Sequence, residues 1–207
     1  MSRFEKQAMR STRSRAIRQV WFGLFLILGT LMPSALLAQT EPANATTTFL
    51  VVRHAERDGN LDKLTKNGEQ RSQVLASLGK TLNVQVIYST DTERTKGTAK
   101  PLATSADTTI RSYKKPSKDW IASLKQNHAG QVVLIVGHSN TAGVIAGLLA
   151  NEKPFEIAHD EYDALFLVQI SNSATQSMRL RYGSSSAGAP SADADKMGII
   201  DPAPVAK

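Results

Sequence analysis

Phe49-Leu-Val-Val-Arg53-His54-Ala55-Glu56 and Gln131-Val-Val-Leu-Ile-Val-Gly137-His138-Ser139-Asn140 share one design: an unbroken apolar run, rich in β-branched residues, that ends at a histidine. Runs of this kind read as short strands buried on both faces. Val84-Gln-Val-Ile-Tyr88 is a third strand, and Thr108–Arg111 a weak fourth. Helical patterns separate them. Leu64 to Leu78 carries apolar residues at 74, 75 and 78. Glu93 to Ala103 is helical with a break predicted near Pro101, and Ser117 to Gln126 starts at the N-cap Ser117. A small apolar helix runs from Asn140 to Leu149, and Gly143-x-x-x-Gly147 on it predicts close helix-to-sheet packing. Ala164–Val168 and Met178–Tyr182 then follow with no room for a helix between them. The alternation predicts an α/β fold: a three-layer α/β/α sandwich with a mainly parallel central sheet and an antiparallel edge strand.

In such a sheet the site lies outside the carboxyl ends of the strands. Three of those ends carry chemistry. The first delivers Arg53 and His54, the strongest strand delivers His138 and Ser139, and the third leads through Ser89-Thr90-Asp91-Thr92-Glu93 to Arg94. Two guanidinium groups and two imidazoles converging on one edge describe an anion pocket of phosphate type. Planar forks match pairs of oxygens, and imidazoles can attack or donate.

Arg53-His54-Ala55-Glu56 after a first strand resembles the signature of the histidine phosphatase superfamily, the phosphoglycerate-mutase-like fold. Three further features follow in the family's order. They are Leu64-Thr65 with Gly68 and Gln70, Ser89 to Arg94 with Thr98-Ala99, and Gly137-His138-Ser139, so the match spans residues 48–170. The resemblance implies that His54 attacks phosphorus and carries the phosphoryl group as a phosphohistidine. It implies that Arg53, Arg94 and His138 bind the phosphoryl oxygens, with Ser139 and Arg57 as further binding candidates and no metal or cofactor. Ala55 stands where many members have glycine, and Arg57 where a small hydroxyl residue is frequent. The acidic proton donor of the phosphomonoesterase members has no counterpart in Arg111-Ser-Tyr-Lys-Lys-Pro-Ser117, and Asp107 and Asp119 sit in no recognisable motif. The short domain and missing acid resemble the small phosphohistidine-phosphatase-like members. A protein that binds phosphate without turning it over is the alternative.

The ends of the chain read differently. The net charge of +7 is concentrated in residues 1–38, with six basic residues against one acid; the remainder holds nineteen against seventeen. Bulk charge therefore gives no reason to expect nucleic acid as a partner. The basic start, the apolar run Val20 to Leu28, Pro33 and a small-residue exit at Ala38 make residues 1–38 a signal peptide or signal anchor. The expected location is exported, periplasmic or secreted, with membrane attachment only if residues 20–38 are retained as an anchor. Residues 39–47 read as a linker, 48–182 as the domain and 183–207 as a disordered tail. The partner is then a small-molecule or protein phosphate substrate.

Other chemistries fit worse. There is no cysteine, so neither a thiolate nucleophile nor the zinc site of an H-x-E deaminase can be built around His54-Ala55-Glu56. Gly137-His-Ser139-Asn-Thr141 resembles a nucleophile elbow, but the only downstream histidine is His159, too close for the usual hydrolase order. His128 and His159 lie in turn-like segments and read as surface residues. Glu56 reads as the partner of an arginine.

Overall fold

The structure, a computed structural model, describes residues 45–186 and 199–200. Its elements are β1 (Thr47–Arg53), α1 (Lys66–Thr81), β2 (Val86–Ser89), α2 (Glu93–Ser105), β3 (Ile110–Ser112), α3 (Lys118–Asn127), β4 (Val132–Gly137), α4 (Ser139–Ala150), β5 (Ala164–Ile170), β6 (Thr175–Tyr182) and the short β7 (Ile199–Ile200). They build one mixed sheet in the order β3-β2-β4-β1-β5-β6-β7. Strands β3, β2, β4 and β1 are parallel, whereas β5 is antiparallel to both β1 and β6. The α/β class, the parallel centre and the antiparallel side agree with the sequence reading.

The period of two along the strands sorts the core into two layers. Phe49 and Val51 of β1, with Val133 and Ile135 of β4, face Ile121 and Leu124 of α3 and Ile145 and Leu149 of α4. Leu50, Val52, Leu134 and Val136 point the other way, onto Leu75 of α1 and Ala99 and Leu102 of α2. All eight β1 and β4 side chains are fully buried, which is why these strands read as continuous rather than alternating apolar runs.

Local signals end most elements where the sequence places them. Thr65 caps α1 by accepting from the Gly68 N–H at 3.1 Å, and Ser117 caps α3 by accepting from Trp120 N–H at 3.2 Å. Two expectations need correction. Helix α2 does not break near Pro101 but continues to Ser105. Burial of Ala99, Leu102 and Ala103 offsets the roughly 3 kcal/mol an interior proline costs. The glycines of α4 do not serve the sheet. They admit the returning segment 153–155, where a Cβ on Gly143 would collide with the Phe155 carbonyl and one on Gly147 would lie 2.6 Å from Lys153 O. Phe155 N–H also donates to Gly143 O at 3.1 Å. This contact sets the course of the connection that leads to residues 158–163 at the site.

The expected signal segment, residues 1–38, and most of the linker lie outside the described residues, as does most of the tail. The described start of the tail is tied to the domain. Arg71 donates to Ser184 O at 2.8 Å, and the Ser186 hydroxyl donates to the Asp163 carboxylate at 2.6 Å. Among the described residues no helix is long and apolar enough to cross a membrane.

Gly143→Ala should lower the unfolding free energy by about 1–3 kcal/mol, the usual cost of overpacking against groups that cannot retreat. A urea midpoint equal to wild type would contradict this packing.

Candidate active site

Parallel pairing places Arg53 opposite Gly137, and the His54 N–H donates to Gly137 O at 2.8 Å. The next residue on each strand is a histidine, so the two rings meet edge to face with centroids 5.4 Å apart. On the other side of β4, Ser89 pairs with Val136 and leads into Thr90 and the first turn of α2, which carries Arg94. Arg53, His54, Arg57, Arg94, His138 and Ser139 all line one cleft of about 480 Å³, together with Asn140 and His159. The six residues singled out in the sequence are thus brought together.

His54 is 4% exposed, and its Nδ1 lies 2.8 Å from its neighbour's carbonyl oxygen, Ala55 O. A carbonyl can only accept, so Nδ1 carries the proton and Nε2 keeps its lone pair. Burial, reinforced by the positive charge of Arg53 and by His138 and Arg94, pushes the imidazole down to about 3, against the Ala55 hydrogen bond. The loop after it is pinned: Ala55 N–H donates to the Thr98 hydroxyl at 2.9 Å, and that hydroxyl donates to Arg94 O at 2.8 Å. Gly68 lets α1 approach this loop, since a Cβ there would meet Glu56 O.

His138 sits between two partners. Its Nε2 is 2.9 Å from the Thr90 hydroxyl, and Arg94 Nη2 is 3.3 Å from its Nδ1. A guanidinium donates, so Nδ1 accepts and the proton resides on Nε2. Burial first, then the Arg94 charge, holds this imidazole below its ordinary value. Arg94 is steered by Asp62, which accepts from Arg94 Nη1 at 2.7 Å and from the Glu93 N–H at 2.9 Å.

Arg53 is held from the opposite wall. Its Nη1 faces three carbonyls of one turn: His159 O at 2.6 Å, Glu161 O at 3.1 Å and Ala158 O at 3.2 Å. Its guanidinium carbon lies 4.0 Å from the centre of the Tyr162 ring. The turn is itself anchored by the fully buried Glu161 carboxylate, which accepts from Ala158 N–H and pairs with Arg179 and Arg181. The Nε atoms of both Arg53 and Arg94 are buried without a partner. A buried donor left unpaired costs about 1–3 kcal/mol. Both arginines line the cleft beside the first turn of α4, an arrangement suited to an anion with several oxygens.

Other candidates sort as follows. Glu56 does pair with an arginine, but with Arg71, both carboxylate oxygens accepting at 2.7–3.0 Å. The reading of His128 as a surface residue is corrected. It is 4% exposed and bonded to Tyr88 Oη and Gln131 Oε1. His159 is exposed, yet it lines the cleft, a placement that a turn segment without a motif does not signal. Asp119 is exposed in the first turn of α3 and does not line the cleft. Lys114 and Lys115 line a neighbouring groove that shares His138 and Asn140 with it. Among the described residues no three His, Asp or Glu side chains gather in a group able to hold a metal ion.

The model of the histidine phosphatase superfamily (branch 1) matches residues 49–115 of the chain, a stretch containing Arg53, His54, Arg57 and Arg94. A search of curated proteins gives no significant match. Solved structures of similar fold include a mycobacterial glucosyl-3-phosphoglycerate phosphatase at 13% identity, covering 60% of this chain and 90% of that one, with a TM-score of 0.51. A phosphoserine phosphatase mutant from Entamoeba histolytica in complex with phosphoserine is 14% identical, covering 68% and 97%, with a TM-score of 0.50. The protein histidine phosphatase SixA complexed with tungstate is 16% identical, covering 67% and 96%, with a TM-score of 0.49. The chain thus resembles the histidine phosphatase superfamily in sequence over β1 to β3, and its fold is similar to that of the first two of these structures.

The direction of the His54 shift has a measurable consequence. Its folded pKa lies below the ordinary value of about 6.5, so below that pH the unfolded chain takes up a proton that the folded one refuses. Stability from this group is complete above about 6.5 and falls as pH drops towards 3. In a ¹⁵N NMR titration His54 should remain neutral down to pH 4; a midpoint above 5 would contradict the buried, neutral imidazole.

Proposed function

We propose, on the premise that the chain resembles the histidine phosphatase superfamily, that it is an exported, metal-independent phosphatase acting through a phosphohistidine on His54. The observation that carries the reading is the His54 tautomer: Nδ1–H is spent on Ala55 O, so Nε2 is free within the cleft. Its low pKa keeps the lone pair available at neutral pH. In the first step Nε2 bonds to phosphorus as the bond to the leaving group breaks. In the second, water attacks phosphorus, the P–N bond breaks, and orthophosphate departs. Arg53 and Arg94 bind the equatorial oxygens and stabilise the charge spread over them, while His138, its ring nitrogens engaged by Thr90 and Arg94, orients Arg94 beside them. Arg57, Ser139 and the α4 N-terminus complete the anion site. These fixed positive charges fill the place a metal ion takes in other phosphoryl-transfer sites.

The substrate is a phosphorylated small molecule or protein. Export is supported by residues 1–38, whose basic start, apolar run and small-residue exit form the pattern of a signal. Fractionation of a bacterial expression host should place the protein outside the cytoplasmic membrane; a soluble, full-length cytoplasmic product would contradict that location.

Activity is tested with an aryl phosphate after dialysis against a strong chelator. Wild type should retain its rate, and His54→Ala should lose at least about three orders of magnitude. A variant that keeps more than about a tenth of the rate removes His54 as nucleophile. A wild type that shows no turnover would leave phosphate binding without catalysis as the alternative. Activity that vanishes on dialysis and returns with zinc or magnesium would make the histidines ligands.

A further inference from the structure

An ester needs its leaving oxygen protonated, and the cleft contains no carboxylate. Asp160, next to His159, is exposed and does not line the cleft, and the other nearby acids are committed elsewhere. Although desolvation opposes it, hydrogen bonds from the Glu93 and Arg94 N–H groups hold the Asp62 carboxyl below the usual range, so it has no proton to give. Glu56 is locked to Arg71, and Glu161 is fully buried beneath its turn among Arg179, Arg181 and the Ala158 N–H. Asp119 stands outside on α3. Three histidines line the cleft. His54 and His138 already have roles and fixed ring partners; His159 has neither.

We propose that His159 is the general acid that protonates the leaving group, which makes phosphomonoesters with alkoxide leaving groups substrates of this site. The proposal rests on the phosphatase reading above. As the His54 Nε2–P bond forms, the P–O bond to the leaving group breaks and the departing oxygen takes a proton from the His159 imidazolium. In the second step water attacks phosphorus as the P–N bond breaks, its protons leave with the orthophosphate, and His159 regains its proton from solvent, which regenerates both residues. An imidazole can hand a proton to a leaving oxygen and take one back from solvent.

The position follows from the backbone. The His159 carbonyl is the nearest acceptor of Arg53 Nη1, at 2.6 Å, so the residue rides on the turn that orients a phosphate-binding arginine. Glu161 and its arginine partners fix that turn, and Ser186 accepts from the Tyr162 N–H at 2.9 Å just beyond it. His159 therefore lines the cleft from an exposed position on a turn that is held in place. Arg53, Arg57, Arg94, His54 and His138 face it across the cleft, with Asp160 and Tyr162 beside it on its own segment. Because the Arg53 contact uses the main chain, replacing the imidazole does not remove it.

The test compares an alkyl phosphate with an aryl phosphate that has a good leaving group. His159→Asn should lose about 100-fold or more in kcat on the alkyl ester, stay within about threefold on the aryl ester, and leave KM for both nearly unchanged. The alkaline fall in the wild-type kcat profile for the alkyl ester should also disappear. Equal losses on both esters would reduce His159 to a positioning residue, and an unchanged alkyl rate would exclude it. A second readout does not require turnover: saturating inorganic phosphate should shift the His159 ring resonances in NMR. A His159 ring indifferent to phosphate overturns the proposal even if His54→Ala confirms the nucleophile. A phosphate-responsive His159 with an active His54→Ala would instead remove only the covalent mechanism.

Discussion

The parallel pairing of β1 with β4, in the register that sets Arg53 against Gly137, is the constraint on which the site depends. Side chains alternate along a strand, so slipping either strand by one residue would turn its whole apolar set to the other face. Phe49 and Val51 would then leave the α3–α4 layer, and Leu50 and Val52 the α1–α2 layer. The register is thus fixed by two buried layers at once. That same register brings two histidines to neighbouring positions at the strand ends and lets the His54 N–H close on Gly137 O. Core packing and catalytic geometry are two consequences of one alignment.

Around that pair the protein uses fixed dipoles and charges to keep both imidazoles neutral. Ala55 O takes the proton-bearing side of His54, and Thr90 takes that of His138. The guanidinium groups then disfavour protonation of either ring, in a setting too buried for water to compensate. Arg94 is anchored through Nη1 on Asp62 and Nη2 on His138, Arg53 through Nη1 on the turn at 158–161, and each retains a buried, unpaired Nε. Unpaired buried donors cost stability, a pattern expected where binding function outweighs local stability.

Much of this was legible in the sequence, for physical reasons. Strands buried on both faces must be apolar throughout, so β1 and β4 stand out, and the polar residues that end them must lie at the sheet edge. The helix cap Ser117 was readable because capping is local chemistry. What the sequence hid depended on packing at a distance. Pro101 predicts a break that the burial of Leu102 overrides, and the α4 glycines serve a returning loop rather than the sheet. His159 and the buried Glu161 lie in an irregular segment whose meaning comes only from Arg53, more than a hundred residues earlier. His128, at the end of α3, looked like a surface residue because its partner Tyr88 lies on β2, far from it in the sequence.

The central claim is that a phosphoryl group passes through the Nε2 of His54. It is tested most directly by quenching wild-type protein during turnover of a labelled phosphate ester and locating the bound label by peptide mapping. The account predicts acid-labile, base-stable phosphate on the peptide containing His54. Active enzyme with no trapped label under rapid quench, or label stable to acid on another residue, would contradict it.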